Sequence, residues 1–196
     1  MTGKKKWTAG RVCIAAGICL VVAAAALLIS WQWGIGSSSE KAAAYTETLR
    51  TLMPEPQGAV LEERSDNTMA VVSLDDADFV GILQMPRYGS ALPVCADWGR
   101  PSRYPCVFGG SIYDGSLAIG AAAQKGQYDF YREISVGDSL YFTDMEGNRY
   151  AFEVTDLRYE KHADQDALSR REAALVLFIK NVYGIEYIIV YCSPAG

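Results

Sequence analysis

The sequence predicts a mostly β, closed barrel carried behind an N-terminal membrane-spanning helix. Three observations support this. From Asp78 onward, short apolar runs of strand-forming residues recur, each bounded by Gly, Pro or Asp/Asn turn signals. Only one or two stretches in that region carry helical spacing. Ahead of it, residues 12–33 contain no charged side chain, while Lys4, Lys5, Lys6 and Arg11 crowd the positions before them.

Residues 1–11 form a basic N-terminus, and residues 12–33 a transmembrane signal-anchor. At about 1.5 Å per residue this run spans about 33 Å, enough for the hydrocarbon core of a bilayer. Trp31 and Trp33 stand where interfacial aromatics belong. The basic flank predicts a single pass, with the N-terminus cytoplasmic and the C-terminal domain extracellular at the cell membrane. A cleaved signal peptide is the competing reading, but its apolar region is usually only about 7–15 residues long. Residues 34–77 read as a juxtamembrane helix and linker. The stretch GIGSSS is a flexible exit, Ser39 is an N-cap, residues 40–53 are helical, and Pro54, Pro56 and Gly58 end the helix. Residues 69–74 make one short strand inside the linker.

The barrel domain occupies residues 78–196. FVGILQM stops at Pro86; ALPV follows a Gly-Ser turn; SLAIGAAA is short and built of small residues. QYDFYREISVGD places Tyr128, Tyr131 and Ile134 three apart, which predicts one or two helical turns closed by Gly137 and Asp138. SLYFTD and RYAFEVTDLRYE flank MEGN, a hairpin by its turn chemistry. ADQDALSRRE is a polar loop with a helical turn, and strands at residues 174–179 and 187–192 end the chain. Seven to eight strands with short helices suit a closed barrel.

Charge and cysteine usage narrow the functions. All 23 acidic residues lie at or after Glu40, and 14 of the 18 basic ones accompany them, so the outer part carries a net −9. With no basic stripe, it is unsuited to nucleic acid. No CxxC or Cys/His spacing suggests zinc, and neither a metal nor a cofactor is expected. Cys13 and Cys19 fall in the apolar span as fillers. Cys95, Cys106 and Cys192 would face an oxidising exterior; their number is odd, so at most one bridge forms, with Cys95 and Cys106 as the candidate pair. His162, the one histidine, sits in the charged loop YEKHADQD. Asp75-Asp76 and Asp97-Trp98 read as loop surface.

Together these segments resemble the sortase family, the membrane-anchored cysteine transpeptidases of Gram-positive surfaces. DFVGILQMPRYGSALPVCADW resembles the family's opening Gly-x-Leu-x-Ile-Pro strand and the Leu-Pro-Val after it. YDGSLAIGAAA resembles the strand ending in Ala-Gly-His-Asn. YDFYREISVGDSLYFTDMEGNRYAFEV resembles the Phe-x-x-Leu-x-x-Leu-x-x-Gly-Asp block with its hairpin. ALVLFIKNVYGIEYIIVYC resembles Leu-Thr-Leu-x-Thr-Cys followed by Arg and a Val-rich strand.

The family's chemistry needs a thiolate nucleophile, a histidine that handles the leaving and incoming amines and an arginine that steadies the oxyanion or the substrate backbone. Carried over position by position, the histidine falls on Ala122, six residues before Tyr128, and the cysteine on Lys180. The threonine before the cysteine falls on Ile179, and the arginine on Tyr187. The resemblance therefore implies a catalytically degenerate sortase, a pseudoenzyme that keeps the scaffold. Its expected partners are a sorting-signal-like peptide, a surface or pilin protein, or an intact sortase. Two alternatives stay open: an active sortase-type transpeptidase using Cys192, with His162, and a structural cell-envelope or assembly protein with a filled groove. Lys180 then either reaches solvent through the old groove or is an amine activated by burial.

Overall fold

The computed structural model describes residues 9–62, 64, 66–75, 77–99, 103–124, 126–161, 173–181 and 186–195. The first element is a long helix, α1 (Ala9–Leu52), and the chain divides into two compact units, residues 1–37 and 38–196. In the first unit, Cys13–Ser30 has a mean hydropathy of 2.7 and none of it is buried. It is long and apolar enough to cross a bilayer.

The second unit begins at Ser38, well ahead of the start near Asp78 that the sequence suggests. The reason is a stripe on α1. Ala42, Thr46, Leu49 and Met53 recur at helical spacing and are all buried in this unit. Ser39 lies inside α1 and is not its N-cap, and residues 34–39, expected as a flexible exit, are helical. Gly34 and Gly36 each cost a helix about 1 kcal/mol, which the Ala- and Leu-rich flanks outweigh.

Among the described residues ten strands follow: β1 (Gln57–Ala59), β2 (Val72–Leu74), β3 (Ala77–Met85), β4 (Ser90–Cys95), β5 (Cys106–Gly109), β6 (Leu117–Ala123), β7 (Ser139–Asp144), β8 (Asn148–Glu160), β9 (Leu175–Asn181) and β10 (Tyr187–Pro194). Eight of them close a ring in the order β3, β4, β5, β6, β9, β10, β8, β7 and back to β3. The expected closed barrel is therefore present. β1 lies parallel to β8, and β2 antiparallel to β3, outside the ring. The β3–β7 junction requires Gly81, because a Cβ there would meet the carbonyl oxygen of Thr143.

Alternation sorts the side chains of β9 and β10. Leu175, Leu177, Ile179, Ile188, Val190 and Cys192 join the main core. Val176, Phe178, Ile189 and Tyr191 form a second buried cluster on the opposite face, with Tyr187 packed against it.

Residues 127–138 correct one expectation, because they form successive turns and no helix. Gln124 and Gln127 exchange two backbone hydrogen bonds of 2.8 Å around Gly126, at φ +78°. Tyr128 follows at φ +54°, a left-handed conformation that a helix cannot include. Its three-residue spacing comes from repeated turns, Tyr131 N to Tyr128 O at 3.0 Å and Glu133 N to Phe130 O at 2.8 Å. The segment ends on Asp138. Its carboxylate accepts from Tyr88 Oη at 2.6 Å, from Ser135 N at 2.9 Å and from Arg87 Nη1. The expected hairpin is in place: Asp144 Oδ1 accepts from the Glu146 and Asn148 amides, and Gly147 takes φ +85°. The polar stretch ADQDALSRRE, with His162 just ahead of it, lies outside the described residues.

Candidate functional site

Ala122, Lys180 and Tyr187 come from three different strands and stand in one row. In the parallel pair β6–β9, Ala122 is the register partner of Lys180; in the antiparallel pair β9–β10, Lys180 is the partner of Tyr187. Register partners on neighbouring strands project from the same face. Local sequence explains the row. Leu175, Leu177 and Ile179 commit one face of β9 to the core, so Lys180 must emerge on the other. Lys180 is exposed, Ala122 and Tyr187 are half-buried, and Lys180 Nζ lies 5.9 Å from the centre of the Tyr187 ring.

The row carries a methyl group, an ammonium and a phenol. None is a thiolate, an imidazole or a guanidinium. Ile179, the residue before Lys180, points into the core and is 1 % exposed.

The next row along the same face explains what fills it. Gly120 pairs with Phe178, and Phe178 with Ile189. Phe178 sits 5.3 Å from Trp98 and 5.1 Å from Phe108, ring centre to ring centre, and Trp98 and Phe108 are 5.2 Å apart, edge to face. A Cβ on Gly120 would collide with both the Phe178 and Trp98 rings. Trp98, read from sequence as loop surface, thus closes over β6 while staying 40 % exposed. The signal for this was the small-residue run of SLAIGAAA, since a strand face without side chains leaves room for something to lie on it. Neither of the two cavities described in this unit is lined by Ala122, Lys180 or Tyr187.

Cys192 stands apart from this face. It lies on β10, paired with Leu175, and its side chain belongs to the main core with no exposure. It lies five positions beyond Tyr187 along the strand, about 17 Å. Burial pushes its thiol pKa well up. His162 lies outside the described residues. Cys95 and Cys106, the candidate disulfide pair, are register partners across β4 and β5. Among the described residues, no group of three or more His, Cys, Asp or Glu side chains is placed to hold a metal ion.

No family model matches the sequence, and no curated protein does either. Solved structures do match. Sortase C-3 from Streptococcus pneumoniae superposes with a TM-score of 0.53 at 16 % identity, over 83 % of this chain and 84 % of that one. Sortase A from Corynebacterium diphtheriae gives 0.53 at 15 %, over 83 % and 84 %. A sortase D5 transpeptidase from Clostridium perfringens gives 0.51 at 12 %, over 60 % and 79 %. The likeness is one of fold: this chain has the sortase fold, a closed eight-stranded barrel, together with an N-terminal apolar helix compatible with a membrane anchor.

Proposed function

We propose that this protein is a membrane-anchored member of the sortase family that has lost the family's chemistry and keeps its scaffold for binding. One observation carries the reading. Ala122, Lys180 and Tyr187, the positions to which the motifs assign the histidine, cysteine and arginine, lie side by side across β6, β9 and β10. Motifs that are far apart in sequence thus meet in one row, and the residues found there supply neither a nucleophile of the required kind nor its acid–base partner. The partner is a sorting-signal-like peptide, a surface or pilin-type protein, or an intact sortase. The anchor is Cys13–Ser30, with the basic N-terminus cytoplasmic and the barrel outside.

The rival transpeptidase reading requires Cys192 to act as nucleophile. A thiol on the inner face of β10, fully buried and with its pKa raised, opposes that role. The structural or assembly reading has its own support, because Trp98 and Phe178 fill the space over Gly120 where an open cleft would favour a peptide.

The deciding experiment uses the full chain in detergent with a Leu-Pro-x-Thr-Gly peptide, an amine acceptor and, separately, a thiol-directed peptide trap. We expect no cleavage, no transfer and no adduct on Cys192. Turnover that disappears in Cys192→Ala would sink the degenerate reading. The triple variant Ala122→His, Lys180→Cys, Tyr187→Arg tests the register itself: its new thiol at position 180 should take the trap where the parent does not. Retained peptide binding by the parent chain separates the binding scaffold from the structural reading.

A further inference from the structure

We propose that Cys95 and Cys106 form a disulfide that fastens the seam between β4 and β5 when the protein meets a disulfide oxidant. The two cysteines are register partners on adjacent parallel strands, so their side chains leave the same face. Neighbouring strands run about 4.8 Å apart, inside the range of about 4.4–6.8 Å between α-carbons that a disulfide accepts. Cys95 N donates to Pro105 O at 2.8 Å, which holds this register. Neither strand has to slide for the sulfurs to meet.

The seam is also where a covalent tie acts most. Among the described residues, β4 and β5 share one register pair, Cys95 with Cys106, whereas the other ring junctions share three to eight. Both residues are buried, at 4 % and 0 % exposure, beside the aromatic trio of Tyr45, Phe79 and Tyr104. Cys106 Sγ donates to Tyr104 O at 3.2 Å. Cys95 also lines a cavity of about 490 Å³, together with Asp75, Asp78 and Asp97. The cavity brings a small oxidant up to Cys95, and its carboxylates favour a cationic one.

The chemistry is thiol–disulfide exchange. The Cys95 thiolate attacks one sulfur of the oxidant, the oxidant's S–S bond breaks, and the first small thiol leaves. The Cys106 thiolate then attacks the Cys95 sulfur of the mixed disulfide and releases the second small thiol. The cysteines lose two protons and two electrons, and the oxidant departs as two thiols.

The test uses the full chain in detergent, equilibrated with cystamine and, in parallel, with reductant. Alkylation, intact mass and peptide mapping then follow. We expect the oxidised protein to be about 2 Da lighter, with one cross-linked peptide pair containing Cys95 and Cys106. Cys192 should alkylate only after unfolding. The oxidised form should melt about 5–10 °C above the reduced one, as a short closed loop predicts. Cys95→Ser and Cys106→Ser should each abolish that rise; if either fails to fold, the oxidised and reduced forms of the parent chain carry the comparison alone. Full alkylation of both residues after oxidation, a persistent cystamine adduct on Cys95, a bridge to Cys192, or an unchanged or lower Tm would each overturn the proposal.

Discussion

Asp138 holds three donors at once, from Arg87, Tyr88 and Ser135. Burial alone would raise its pKa, but the hydrogen bonds from Tyr88 and Ser135 and the Arg87 guanidinium outweigh it, so the carboxyl stays below its usual range. A folded-state pKa below the unfolded one, near 3.9, means that the unfolded chain takes up protons first as the pH falls. The stabilisation is therefore fully present above about pH 5 and is lost through the ordinary carboxylate range and below. Asp138→Asn should cost about 1–3 kcal/mol at pH 7 and much less at pH 3, measured as denaturant midpoints at the two pH values. Gly120 is the second informative position. Gly120→Ala should cost about 1–3 kcal/mol, and less in a Phe178→Ala background, because one of the two rings it strikes is then gone. A double-mutant cycle showing equal costs in both backgrounds would refute the packing of these rings over β6. Asp138 was visible in the sequence only as half of a Gly-Asp turn; two of its three donors, Arg87 and Tyr88, lie some fifty residues away, and no local pattern reports them.

At the scale of elements, the legible parts were those with a repeating physical reason. FVGILQM, SLYFTD, RYAFEVTDLRYE and the two final strands alternate or run apolar between turn signals, and all became strands. β5 is four residues long and β1 three, too short to show a period. The segment after Gly126 misled because consecutive turns and a helix both bring residues three apart onto one side. The sequence marks residues 40–53 as a juxtamembrane helix but not what that helix packs against; its stripe is buried in the second unit. Leu49→Ala should therefore destabilise that unit by about 2–4 kcal/mol. Leu28→Ala, in the exposed apolar part of the same helix, should leave its melting unchanged. Thermal unfolding followed on the barrel's tyrosines would separate the two. The positions Ala122, Lys180 and Tyr187 came only through the resemblance to the sortase motifs; no periodicity or composition singles them out as a row. The lid of Trp98 and Phe108 was not legible, because it arises from contacts between separate strands and a loop.

The whole molecule joins an apolar helix to an acidic barrel, and the two make different demands of their surroundings. The chain should float with lipid vesicles and resist alkaline extraction. Leu20→Lys together with Leu27→Lys should abolish this, since each lysine adds about 2.5–3.5 kcal/mol at the centre of a bilayer. The barrel has one further property that bears on handling and on evolution. From Ser90 to Val94, β4 pairs with β3 on one side, while among the described residues its other side meets β5 only at Cys95. Pro93 lies in this stretch, as befits a strand whose outer margin lacks a neighbour. Thr46 of α1 reaches that margin, with its Oγ1 3.4 Å from Ala91 O, and Ser39 and Ala43 line a cavity with Ser90 and Leu92. Residues of α1 thus lie along a sheet edge of the kind that can pair with a second chain when left bare. A protein shortened to begin after Met53 should self-associate as its concentration rises, visible by light scattering. Any lineage that discarded the apolar segment together with the whole of α1 would have had to find another way to keep its barrels apart.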